Sequence, residues 1–157
     1  MFLKFEDTTE KLKGEFAIKV FRCNRLIDEF ADHNLVVETG RVRLAQLAAG
    51  LNNNHITYIG VGSGSNEESP ADLYLENQIL IPIIQATVTG RDAKFDFVID
   101  QQQANGLSIR EFGLFCSDGT MFSHRVRFKF NPDGSRKVLQ IDKENDILIQ
   151  GYWILHF

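Results

Sequence analysis

The stretch Gly106-Leu107-Ser108-Ile109-Arg110-Glu111-Phe112-Gly113-Leu114-Phe115-Cys116-Ser117-Asp118-Gly119-Thr120 holds a conflict of side-chain parity. Leu107 and Ile109 fall on one parity, Phe112 and Leu114 on the other. Successive strand residues point to opposite faces, so a regular strand cannot bury all four together. A slip of one residue resolves the conflict, and a β-bulge or sharp bend is expected at Arg110-Glu111. Asp118 and Gly119 are expected to supply the positive φ angles of a tight hairpin turn. On the returning strand Val126, Phe128 and Phe130 should face one way, and Arg125, Arg127 and Lys129 the other.

Working outward, the pattern stays β. Ile56 to Val61 has β-branched residues at alternate positions, and Ile79 to Val88 is an apolar run broken by Pro82. Proline cannot donate to a ladder, which makes that run an edge strand or a bulged one. Phe95, Phe97 and Ile99 alternate with Asp96 and Asp100, the mark of a strand with one wet face. In the closing run from Ile147 to Phe157 the odd positions, including Trp153, form an apolar core face. Its even positions, Leu148, Gln150, Tyr152, Ile154 and His156, are mixed, so that face should lie in a sandwich or under a neighbouring subunit.

Upstream, two apolar-rich runs flank Cys23-Asn24 and read as a hairpin. Val42 to Ala49 reads as one short helix, with Thr39 available as its cap and Gly50 as its stop. The expected fold is mainly β: a β-sandwich or barrel-like set of antiparallel sheets with one short helix and an N-terminal hairpin. The expected organisation is a hairpin-plus-helix addition over 1–54 and a β domain over 55–157.

The composition suits a soluble globular chain, with 43% apolar and 24% charged residues and a net charge of −4. Thirteen phenylalanines point to an aromatic β core. An acidic chain has no overall attraction for nucleic acid or anionic membranes. Neither a signal peptide nor a membrane-spanning apolar run is expected. Cys23 and Cys116 belong to no metal or redox motif and are expected as reduced core thiols.

No chemistry stands out. Gly60-Val61-Gly62-Ser63-Gly64 lacks the Gly-Lys-Ser/Thr of a phosphate-binding loop, and Glu67 and Glu68 would repel an anion, so a flexible loop is expected. His33, His55, His124 and His156 have no ligand spacing, and neither a metal nor a cofactor is expected. Asp96, Asp100 and Glu111 have no partner placed by sequence for acid–base work. Arg125, Arg127 and Lys129 are expected to pair with carboxylates of an adjacent strand or subunit rather than with phosphates.

Three segments resemble the tail-collar or tail-fibre N-terminal domain of phages. They are Ile56 to Gly64 with the loop through Ala71-Asp72-Leu73, the Gly106 to Thr120 block, and Ile147 to Phe157. Together they span about residues 55 to 157. The resemblance implies a non-enzymatic virion protein, assembled in the host cytoplasm, that attaches fibres to a baseplate or completes one, usually as a trimer. Its partners would be other tail proteins, contacted through the even-numbered face of 147–157 with Arg125, Arg127 and Lys129. Arg110, Glu111, Asp118 and Gly119 would shape the bulge and turn. The other class of function in view is a β-sandwich that binds host-surface glycans through the 63–72 loop.

Overall fold

The computed structural model describes residues 12–157. In chain order the elements are β1 (Lys13–Arg22), β2 (Arg25–Val36), α1 (Glu38–Ala48), β3 (Ile56–Gly62), β4 (Ile79–Pro82), β5 (Gln85–Thr89) and β6 (Asp92–Ile99). There follow β7 (Ser108–Ile109), β8 (Glu111–Cys116), β9 (Met121–Val126), β10 (Phe128–Phe130), β11 (Arg136–Val138), β12 (Ile141–Asp142) and β13 (Ile147–His156). The fold is mainly β, as expected, with one helix among the described residues.

Nine strands form one antiparallel sheet in the order β4-β3-β8-β9-β2-β1-β13-β6-β5. Its edge strands, β4 and β5, are separated in sequence only by Ile83 and Ile84. Neighbouring Cα atoms are about 3.8 Å apart, so the sheet must curl until its edges nearly meet. The backbone shows where they do. Ile83 N–H donates to Thr57 O on β3 (2.9 Å) and Ile84 N–H to Asp96 O on β6 (2.9 Å). The product is a large curled half-barrel, with Pro82 at the end of an edge strand as its missing N–H requires.

The N-terminal hairpin lies in the middle of this sheet. Cys23 and Asn24 both take positive φ, 48° and 63°, which sets the right-handed twist of a two-residue turn. β1 pairs with β13 along its whole length, while β2 pairs with β1 and then, through Leu35 and Val36, with β9. Residue 54 therefore separates no sheets, because residues 13–36 bridge the two walls.

Between the walls lies an aromatic core. The Phe16 ring on β1 is 4.8 Å from Trp153 on β13 and 4.8 Å from Phe112 on β8. Phe97, Phe112, Phe122 and Trp153 are essentially inaccessible to solvent. The odd face of β13 is buried as its pattern requires.

The slip expected at Arg110-Glu111 is a break between strands. β7 pairs with β12 in a separate small sheet, and β8 joins the large one. Gly62 faces two residues there: Glu111 is its register partner, and Arg110 N–H donates to its carbonyl (2.9 Å).

Three expectations need correction. At the hairpin turn Gly119 has φ 85°, but Asp118 is not in the positive-φ region. Asp118 instead spends its carboxylate on Arg43. The parity assigned beyond Val126 fails because the chain leaves the sheet at Arg127: Phe128 and Phe130 belong to the β10–β11 hairpin, and Phe130 is largely exposed. Thr39 does not cap α1; the N-cap position is Val37, and the Thr39 hydroxyl donates to Met121 O (2.7 Å). Packing against β9 decides that placement. A Cβ on Gly40 would sit 2.2 Å from Phe122 O, so the first turn of the helix lies directly on the strand backbone.

Candidate functional site

The even face of β13 is the outer face of the wall β2-β1-β13-β6-β5, and none of the described residues covers it. Gln150 and Tyr152 are exposed, while Leu148, Ile154 and His156 are half-buried by their strand neighbours. Across the register Tyr152 lies between Ala17 and Asp96, and Gln150 between Lys19 and Val98. A shallow groove of about 720 Å³ crosses these strands, lined by Ala17 and Ala31 with Lys19, Glu29, Gln150 and Tyr152 around them. The Lys94 ammonium sits 4.8 Å above the Tyr152 ring and 3.5 Å from Asp96. His156 stands between Asp92 (Nδ1 to Oδ1, 2.6 Å) and Glu15 (Nε2 to Oε2, 3.4 Å). The bond to Asp92 raises its pKa above the ordinary imidazole value. Beside this face the edge strand β5 is exposed at every residue and carries no charge.

Arg125 and Arg127 are used within the chain. β2 meets β9 only at Leu35 and Val36 and then splays away towards β1, which opens a seam. The two guanidiniums fill that seam, 6.0 and 5.6 Å from the Phe30 ring, and pair with Asp32 and Asp28 of β2. Arg136 stacks on Phe128 at 3.6 Å and binds Glu68 (3.0 Å). Planar, weakly hydrated guanidinium suits such stacked, partly dry positions. Of the adjacent strand or subunit expected to supply carboxylates, it is the strand that does so, and Arg125 and Arg127, largely buried in these pairs, are not free for the subunit contact expected of them. Lys129 is exposed on the β10–β11 hairpin, opposite Lys137.

The 63–78 segment is a strap across the outer face of β8. Leu75 packs with Val37, Phe115 and Met121 in a second small core. The glycines of 60–64 make this packing possible. A Cβ on Gly60 would lie 2.3 Å from the Phe115 ring, and one on Gly64 would lie 2.4 Å from the Glu111 carboxylate. The glycine run therefore serves close packing, and the loop expected to be flexible is pinned. Glu68 accepts from Val126 N–H and from Arg136, and Glu111 Oε1 accepts from Glu76 N–H (2.8 Å). Arg110 reaches from the strand break to Ser63 O (2.8 Å) and Gln140 (2.8 Å).

Under the strap His124, 4% exposed, lies between Asp72 and Glu111. Its Nδ1 is 2.7 Å from Asp72 Oδ2. Its Nε2 is 3.4 Å from Glu111 Oε2, an ionic contact that does not meet hydrogen-bond geometry. Burial, the largest influence on this imidazole, works against its charge, but the two carboxylates outweigh it and raise its pKa.

Sequence reasoning missed three buried polar groups. His124 was legible only as an isolated histidine, since Asp72 and Glu111 come from distant segments. Arg43 read as part of an ordinary helix surface, yet it is 6% exposed and bidentate to Asp118 (3.0 and 2.6 Å). Its guanidinium and the Thr120 N–H hold the Asp118 carboxyl well below the usual carboxylate range. Lys143 is fully buried and donates to Asn105 Oδ1 (2.8 Å) and Glu144 O (3.0 Å).

Both cysteines are free. Cys116 is in the core as expected, whereas Cys23 is exposed at the hairpin turn. Among the described residues no group of three or more His, Cys, Asp or Glu is placed to hold a metal ion. No helix among them is long and apolar enough to cross a membrane.

No family model matches the chain, and no curated protein or solved structure matches it. The likeness to phage tail-collar domains rests on the residues quoted for it.

Proposed function

We propose that this protein is a structural module of a phage-type tail, attaching fibres or completing a baseplate through protein–protein contacts. The observation that carries the reading is the uncovered outer face of β13. This strand is internal to the sheet, yet it presents Leu148, Tyr152 and Ile154 outward beside an uncharged exposed edge strand. Apolar and aromatic residues ringed by charge are what a subunit contact uses. The tail-collar resemblance of 106–120 and 147–157 adds the virion setting, self-association as a trimer, and neighbouring tail proteins as partners.

Light scattering on the purified chain, alone and with neighbouring tail proteins, tests this. Assembly is expected, and Tyr152→Asp or Ile154→Asp should abolish it while leaving the β circular-dichroism spectrum intact. Assembly unchanged in both variants would remove this face from the reading. A chain that stays monomeric with every tail component would end the assembly role itself.

A further inference from the structure

We infer that a second copy of this chain occupies the groove on the β13 face by inserting its β10–β11 hairpin there, a step that rests on the assembly reading and names the partner of that face.

The hairpin is unmatched within its own chain. Phe130 is 69% exposed and meets the Phe128 ring edge-on, with 5.2 Å between centroids. Lys129 and Lys137 stand directly opposite each other across the two strands. Neither makes a hydrogen bond or ion pair among the described residues. Like charges in that position destabilise a strand pair, and a carboxylate brought beside them removes the cost. The Arg125 and Arg136 guanidiniums stack on Phe128 at 4.6 and 3.6 Å, which holds this knob at its base.

The groove is unmatched in the complementary way. Its floor is made of the small side chains Ala17 and Ala31 beside Tyr152, a hollow open to an aromatic ring. On its rim the Glu29 carboxylate makes no ion pair among the described residues, although Lys19 is its register partner. Asp96 has the Lys94 ammonium at 3.5 Å. With Phe130 on the floor, Lys129 and Lys137 meet Glu29 and Asp96 of the next copy. Asp133, at the hairpin tip and bonded to Ser135, meets Lys19. Each charge of one surface thus finds its opposite on the other.

The hairpin springs from the seam beside β2, and none of its residues lines the groove of its own chain. Knob and hollow are therefore different surfaces, and the contact is head-to-tail. Such contacts close into rings where the rotation allows, which suits a trimer. Two β13 faces packed on each other would leave Phe130 and both lysines in water.

Sedimentation of the full chain by itself tests the contact. The parent should form a closed oligomer. Phe130→Asp and Tyr152→Asp should each be monomeric with unchanged β circular dichroism. Mixed in equal amounts at about 0.5 mM, where a micromolar contact is saturated, the two variants should form pairs and nothing larger. Phe130→Asp keeps a sound groove and Tyr152→Asp a sound hairpin, so one contact forms and no second can follow. Lys129→Glu combined with Lys137→Glu should weaken assembly roughly tenfold.

Assembly lost in Tyr152→Asp but kept in Phe130→Asp would overturn the hairpin contact and leave the assembly face standing. A mixture that stays monomeric would overturn it too. The same holds for a parent chain that is monomeric alone and assembles only with neighbouring tail proteins, because the groove then takes another protein. Assembly unchanged in both single variants would remove the face and the hairpin contact together.

Discussion

β8 and β13 are both internal strands of the same sheet with a neighbour on each side, yet they meet opposite fates. All six residues of β8 are buried, whereas β13 buries one face and shows the other to solvent. The difference lies in what covers the second face. β8 lies under the strap and the start of α1, which bring Leu75 and Val37 against Phe115. β13 has no such cover among the described residues. Two histidines repeat the contrast. His124 and His156 each stand between two carboxylates, but only His124 is closed off from water. A strand pattern alone thus says which side faces the main core, and a distant loop says whether the other side is used up or left for a partner.

The comparison can be broken most forcefully at Phe115. Phe115→Ala should open a cavity under the strap and cost about 3–5 kcal/mol in denaturant unfolding, while Tyr152→Ala should stay within about 0.5 kcal/mol. Equal costs would mean that the two outer faces are not different in kind. Arg43→Ala comes next. It strips Asp118 of its bidentate partner and frees the hairpin tip from α1, for a loss of about 1.5–3 kcal/mol. The check is a lower denaturant midpoint with an unchanged slope.

A smaller effect, and a sharper one, is the pH response of the two histidines. Asp72 on the strap and Glu111 on β8 face His124, Glu76 lines the same pocket, and the β2 residue opposite it is the apolar Leu35. The folded chain holds the His124 proton more tightly than the unfolded chain does. Its contribution is therefore complete below the unfolded imidazole pKa and is lost as pH rises through the folded one. Amide protection at Ser69 and Glu76 should fall over that window, and His124→Gln should flatten the dependence. His156 shifts in the same direction but is more than one-third exposed, so its variant should change the pH profile little. The smallest expected effect on stability is that of Tyr152→Asp, with a melting temperature close to that of the parent and assembly lost.

Much of the frame was legible. Alternation along Ile147 to Phe157 chose the core face of β13 with Trp153 inside, Pro82 marked an edge, and Cys23-Asn24 marked a turn. These are local questions of parity and φ, which a few consecutive residues answer. The break at Arg110 was also legible, because the parity conflict lies within a dozen residues.

The site itself was not. Glu68, Asp72 and Glu111 acquire their roles from Arg136, His124 and Glu76, segments separated in the chain and joined only when the strap closes over β8. The glycines of 60–64 looked like a loop signal because their real reason, the Phe115 ring and the Glu111 carboxylate pressed against them, comes from another strand.

Sequence by itself thus determined the period, the turns and the inward faces, which are set by neighbouring side chains and backbone sterics. Tertiary structure alone decided that the hairpin sits mid-sheet, that the edges meet at Ile83-Ile84, and that one outer face is roofed while the other is bare. Those outcomes turn on which distant strand offers a matching edge and which long-range charges can be buried together, and no local pattern encodes that choice.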